Sequence, residues 1–130
     1  MEVVLVDTSA VYALLDQHDS NHAAAKSRLR SAKKAGMRPL LTNFLVAECH
    51  ALLLHRLGPV VARRWLLTNL WRVEPVTPAD EERARSIITE YSDKAFSYTD
   101  ATSFAVMERL VIRQAFTFDR HFRQFGFDSF

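Results

Sequence analysis

Cysteine is almost missing from this chain. Its 130 residues hold one, Cys49, which excludes an internal disulfide framework and a cysteine-based zinc site and fits a reducing compartment. Glycine and proline are scarce, at 3 and 4 residues, too few for long disordered linkers. No apolar run approaches the length of a membrane span. No basic stretch precedes the first apolar run, and Asp7 cuts that run short, so no signal peptide is read. These absences predict a single domain over residues 1–130, cytoplasmic and without a membrane partner. The net charge of +2 permits nucleic acid as a partner without demanding it.

What the chain does contain is an alternation of short apolar strands and longer helices. Val3–Val6 is a β-branched run of the kind that fills a strand buried on both faces. Helices are predicted from Ser9 to about Leu15, over "HAAAKSRLRSAKKA" after the Ser20-Asn21 cap, and from Phe44 to Leu57 after Thr42-Asn43. Gly36 and Gly58 stop the latter two. Pro59 opens a further helix to about Leu70. Thr77-Pro78, with Asp80 and Glu81 behind them, opens one to about Ser92. The last two are expected from near Thr99 to about Leu110 and over Arg120–Phe125. Further strands are expected at Pro39–Leu41, Val73–Val76 and Ala115–Phe118, with a fifth from Phe127 onward. Strands separated by helices pair in parallel through right-handed crossovers, so the fold class is a three-layer α/β/α sandwich.

Four acids sit where acids are costly. Asp7 ends the first strand. Glu48 has Phe44, Leu45, Ala51 and Leu52 as its helical neighbours, which puts it on the stripe that should face the core. Asp100 heads an apolar stripe with Phe104 and Met107. Asp119 ends the fourth strand as Asp7 ends the first. Each has a plainer reading: Asp7 and Asp119 as helix caps, Asp100 as an acid on the helix dipole, Glu48 as half of a buried salt bridge with an arginine. Together they favour one site, because strand ends and helix starts converge at the carboxyl edge of a doubly wound sheet. Two such carboxylates about 5 Å apart repel by roughly 3 kcal/mol at an effective dielectric of about 20. Bound cations or captured protons relieve that. Oxygen ligands without a Cys or His cluster select Mg²⁺ or Mn²⁺, ions suited to activating a water and stabilising a leaving oxygen on phosphate.

The stretches "VLVDTSA", "LLTNFLVAECHALL", "SYTDATSFAVME" and "AFTFDRHFRQFGF" resemble the four acidic motifs of the PIN domain, in order and over nearly the whole chain. Without extra domains, the chain is most similar to a VapC-type toxin, the ribonuclease half of a toxin–antitoxin pair. The resemblance implies a five-stranded parallel sheet in the order 3-2-1-4-5. It also implies Mg²⁺- or Mn²⁺-dependent, single-strand-specific endoribonuclease activity, a homodimer and a cognate antitoxin over the active site. By motif, the catalytic and metal-binding acids are Asp7, Glu48, Asp100 and Asp119. Thr8 or Ser9 and Thr117 match hydroxyls that hold carboxylates or water ligands, or act only as local caps.

Arg120 and Arg123 follow the fourth acid directly and are the first choice for RNA contacts. His18 and His22 have ligand spacing but no third partner, and His121 is expected to be packed or on the surface. Cys49 reads as a small core residue. Leu53, Leu54, Trp65, Leu66 and Trp71 are too many large apolar side chains for one core and suggest a dimer surface. Two rival readings remain. In one, the PIN fold is kept only to bind RNA or a partner. The other is a phosphoaspartate protein, but a phosphatase wants a second Asp where Ser9 stands, and a receiver wants an acidic pair where only Asp7 is found.

Overall fold

A computed structural model describes residues 2–130. The strands are β1 (Val3–Val6), β2 (Arg38–Thr42), β3 (Arg72–Glu74), β4 (Gln114–Phe116) and β5 (Asp128–Ser129). All are parallel, in the order β3-β2-β1-β4-β5. Central β1 is covered on both faces, with Val4, Leu5 and Val6 buried, as its unbroken apolar run requires.

The helices are α1 (Thr8–Leu15), α2 (His22–Lys34), α3 (Asn43–Leu57), α4 (Pro59–Thr68), α5 (Pro78–Glu90), α6 (Tyr98–Leu110) and α7 (His121–Phe125). Right-handed crossovers place α1–α4 over one face of the sheet and α5–α7 over the other. The packing follows that division: α1 lies on α2 and α3, α3 on α4, α5 on α6, and α6 on α7. Contacts between α3 and α6 bring together two helices that each carry an acid. The α6 side is filled by aromatic rings. Phe104 meets Phe96, Phe122 and Phe125 at centroid distances of 5.0, 5.0 and 4.6 Å. Each fully buried ring contributes about 1.5–3 kcal/mol, so this cluster anchors the helix that carries Asp100.

Two strands stop earlier than their apolar runs suggest, each for a local reason. β3 ends at Glu74 because Pro75 has no N–H for the ladder. β4 ends at Phe116 because the Phe118 N–H donates to the Ser9 hydroxyl and the Asp119 N–H to the Thr117 hydroxyl. Those two bonds peel the chain away from the sheet. Asp119 is therefore not a strand end; it lies in the loop that leads into α7.

Candidate active site

Asp7 occupies the N-cap position of α1 without acting as a side-chain cap. Its backbone carbonyl takes the Ala10 and Val11 N–H groups. Its carboxylate accepts from the Ser9 hydroxyl at 2.8 Å and the Thr117 hydroxyl at 2.9 Å, both on Oδ2. Capping therefore does not explain this aspartate. Asp100 does cap: it is the third residue of a capping box with Ser97, whose N–H bonds to Oδ2. The same oxygen meets His121 Nδ1 at 2.9 Å. Asp119 Oδ1 accepts from the His121 N–H at 3.0 Å and lies 3.3 Å from Nδ1. Oδ1 of Asp7 and Oδ1 of Asp100 have no protein donor among the described residues.

Glu48 is half-buried rather than on the core stripe. That stripe is Leu45, Cys49 and Leu53, one position round the helix, so Glu48 faces the cleft instead. It forms no salt bridge with an arginine among the described residues; Thr8 donates its hydroxyl to it. Thr8, Ser9 and Thr117 thus all hold acids in place, and none merely ends a helix.

The four acids line one open cleft of about 740 Å³. Among the described residues, possible ligand atoms within 4.8 Å of one another come from Asp100, Asp119 and His121; Asp7 and Glu48 line the cleft outside that group. His121 is packed edge-on against Phe96, as a buried histidine would be, yet its Nδ1 joins two of the four acids. No sequence signal beyond its nearness to Asp119 pointed to that. His18 is exposed and His22 bonds the Ala13 carbonyl, so neither belongs to the cluster.

Two aspartates with little exposed surface differ both in how deeply they lie, Asp7 being the deeper, and in their partners. Asp80 is 3% exposed and Asp7 is 5% exposed. Burial pushes Asp80 upward, but Arg109 and Thr77 outweigh it and hold the carboxyl below its ordinary value. Among the described residues the Asp7 carboxylate has only hydroxyl donors. Burial, reinforced by the charges of Asp100 and Glu48, outweighs them and raises it from 3.8 to about 6. A buried carboxylate among carboxylates, with no basic side chain bonded to it, matches what a hard divalent cation needs. The donor set fits Mg²⁺ or Mn²⁺, and the imidazole nitrogen suits Mn²⁺ better than Mg²⁺. Cys49 lies behind this wall, its thiol pushed up to about 12 by burial. It is an inert core residue, as expected.

The basic residues divide. Arg120 lines the cleft. Arg123 does not; it borders a separate hollow of about 220 Å³ with Arg28, which stacks on Phe118 at 4.7 Å. Arg56 lines the main cleft although nothing in the sequence singled it out. It belongs to the row Glu48, Leu52, Arg56 on α3, four residues apart, and that spacing was the available signal.

Residues 4–128 match the PIN domain family model. VapC20 of Mycobacterium tuberculosis, named as a 23S rRNA-specific endonuclease, is 36% identical over 128 residues, which span 96% of this chain and 95% of that protein. Ribonuclease VapC26 of the same species is 29% identical over 92% of this chain and 89% of its own length. The crystal structure of M. tuberculosis VapC20, described as a sarcin–ricin-loop-cleaving toxin, superposes with a TM-score of 0.86 at 35% identity, covering 95% of both chains. With the fold and these likenesses in agreement, the chain belongs to the PIN-domain family, in its VapC-type branch.

Proposed function

We propose that this VapC-type nuclease is a Mg²⁺- or Mn²⁺-dependent endoribonuclease, specific for single-stranded RNA, and the toxin of a type II toxin–antitoxin pair. The observation that carries this reading is the buried carboxylate of Asp7, held by two hydroxyls and lining an open cleft with Glu48, Asp100 and Asp119. The M. tuberculosis relative is named for a loop of 23S rRNA, and an exposed ribosomal RNA loop is the substrate that likeness suggests here. All four acids are intact, which favours an enzyme over a PIN module that only binds.

Asp7, Glu48, Asp100 and Asp119 would hold the cation, with His121 against two of them. Bound there, it would supply a Lewis acid for a phosphate oxygen and a more acidic water. The protein's own part is to hold these oxygens still. Ser9 and Thr117 fix one rotamer of Asp7, Ser97 and His121 fix Asp100, and the His121 N–H fixes Asp119. Arg120 offers a positive charge at the rim for the RNA backbone. Incubated with a stem-loop RNA, the protein should cut only with Mg²⁺ or Mn²⁺, stop on addition of a chelator, and leave 5′-phosphate and 3′-hydroxyl ends, since water is the nucleophile. Cyclic 2′,3′-phosphate ends, or full activity in chelator, would refute this.

A homodimer and a cognate antitoxin are part of the same proposal. The apolar surplus is real but lies partly elsewhere than the sequence suggests. Leu53 is core, and Trp65 and Trp71 pack against the core. Leu54 and Leu66 are exposed, joined by Val60, by Leu67 at 75% and by Leu70 at 95%. Such a surface on α3, α4 and the loop after α4 calls for a partner. Light scattering at micromolar concentration should give a dimer that Leu67→Asp with Leu70→Asp converts to monomer. A wild-type monomer without antitoxin would end the dimer proposal.

A further inference from the structure

The far wall of the cleft carries an arginine without a carboxylate partner. Arg56, near the end of α3, lies with its guanidinium carbon 5.0 Å over the ring of Tyr12 on α1. Both residues line the same cleft as the acids. The Tyr12 hydroxyl is itself tied down, donating to Asp16. Among the described residues Arg56 makes no salt bridge, as most of the chain's arginines do not; Arg72, Arg83 and Arg109 are the ones that pair with carboxylates. The guanidinium rests against the Tyr12 ring and approaches its hydroxyl, which leaves most of its five N–H donors for another partner. That is a donor for an anion.

The position along the helix says which anion. Arg56 is eight residues beyond Glu48, about 12 Å along the axis at 1.5 Å per residue. From that turn of the helix it lines the same cleft as the acids, where it can meet a backbone phosphate next along the strand. Unpaired nucleic acid is bound by aromatic and guanidinium planes in a charged groove. Resting on the ribonuclease reading above, we infer that Tyr12 and Arg56 form a subsite for single-stranded RNA, in which Arg56 takes a backbone phosphate further along the strand than the one being cut. Arg56 is a binding residue there, not a catalytic one.

The test separates this inference from the reading beneath it. A fluorescein-labelled 12-nucleotide single-stranded RNA is titrated with the protein over a range of NaCl, with Ca²⁺ in place of Mg²⁺, while cleavage of the same RNA is followed in Mg²⁺. Arg56→Ala should raise Kd and KM about tenfold, the scale of one charged hydrogen bond, and leave kcat within about twofold. The slope of log K against log salt should shrink by about 0.7, one phosphate contact on a single strand. Arg56→Lys should restore the slope, and Tyr12→Leu should lose part of the affinity. An Arg56→Ala protein with wild-type melting temperature, Kd and salt slope overturns the subsite. So does a variant that binds RNA normally and only loosens the cognate antitoxin, which would assign the wall to that protein instead. A wild type that binds with the expected Arg56 dependence but never cuts would leave the subsite standing and sink the ribonuclease reading.

Discussion

Replacing Asp7 by Asn should stabilise the cation-free protein and remove most of its RNA cleavage. The gain in stability comes from burial of the charge, and the loss of cleavage from removing a carboxylate of the proposed metal site. Burial, with help from Asp100 and Glu48, raises the Asp7 carboxyl from 3.8 to about 6 in the folded chain. The folded state therefore holds that proton more tightly than the unfolded state. The stability this confers is complete below about pH 3.8 and is lost as pH rises to about 6. Above that, keeping Asp7 ionised costs roughly 3 kcal/mol, at about 1.4 kcal/mol per pH unit. Asn removes the charge, and its carbonyl still accepts from Ser9 and Thr117. In chelator at pH 7.5 the variant should melt several degrees above wild type, at about 2–8 °C per kcal/mol, and the gap should close toward pH 4. Cleavage should fall about a hundredfold or more, the scale of losing one electrostatic stabiliser of a transition state. Were Asp7 only a cap, Asn would be silent, because it caps equally well. A variant that melts well below wild type would instead mark Asp7 as a structural residue.

The sequence made the acids legible because each stands against its surroundings: carboxylates at the end of an apolar run or on a stripe of leucines. It made their supports much less legible. By local pattern Ser9 and Thr117 look like ordinary turn residues, and only the family resemblance marked them as hydroxyls that could hold carboxylates; β1 and β4 side by side bring both to Asp7. His121 could not be placed because its partner Asp100 is 21 residues away on another helix, a distance no local pattern encodes. The strand order itself came from the resemblance, since alternation of strands and helices fixes the layers but not the sequence of neighbours.

The misplacements have the same origin. Glu48 is one position off the core stripe, and a shift of one residue is enough to turn a helical side chain from the core to a cleft. Asp119 looks like the end of a strand because "AFTF" is apolar, yet two hydroxyls draw the backbone off the sheet before it. Arg123 sits three residues after Arg120, but Arg120 precedes α7 and Arg123 lies within it, so the two point to different hollows. Asp80 shows the converse case. Its sequence context suggests only a helix start, whereas the fold adds Arg109 from α6 and makes it a buried, compensated ion pair.

Calorimetric titration with Mn²⁺ tests most directly, without RNA or turnover, the proposal that Asp7, Glu48, Asp100 and Asp119 share one divalent-metal site. At pH 7.5 the wild-type protein should bind Mn²⁺, and its affinity should weaken about tenfold by pH 5, because a proton on Asp7 then competes with the ion. Asp7→Asn and Asp119→Asn should each weaken binding at pH 7.5 by at least the roughly 10–100-fold that loss of an outer partner costs a metal site. Unchanged Mn²⁺ affinity in both variants, with the same heat and the same pH dependence as wild type, would contradict the account.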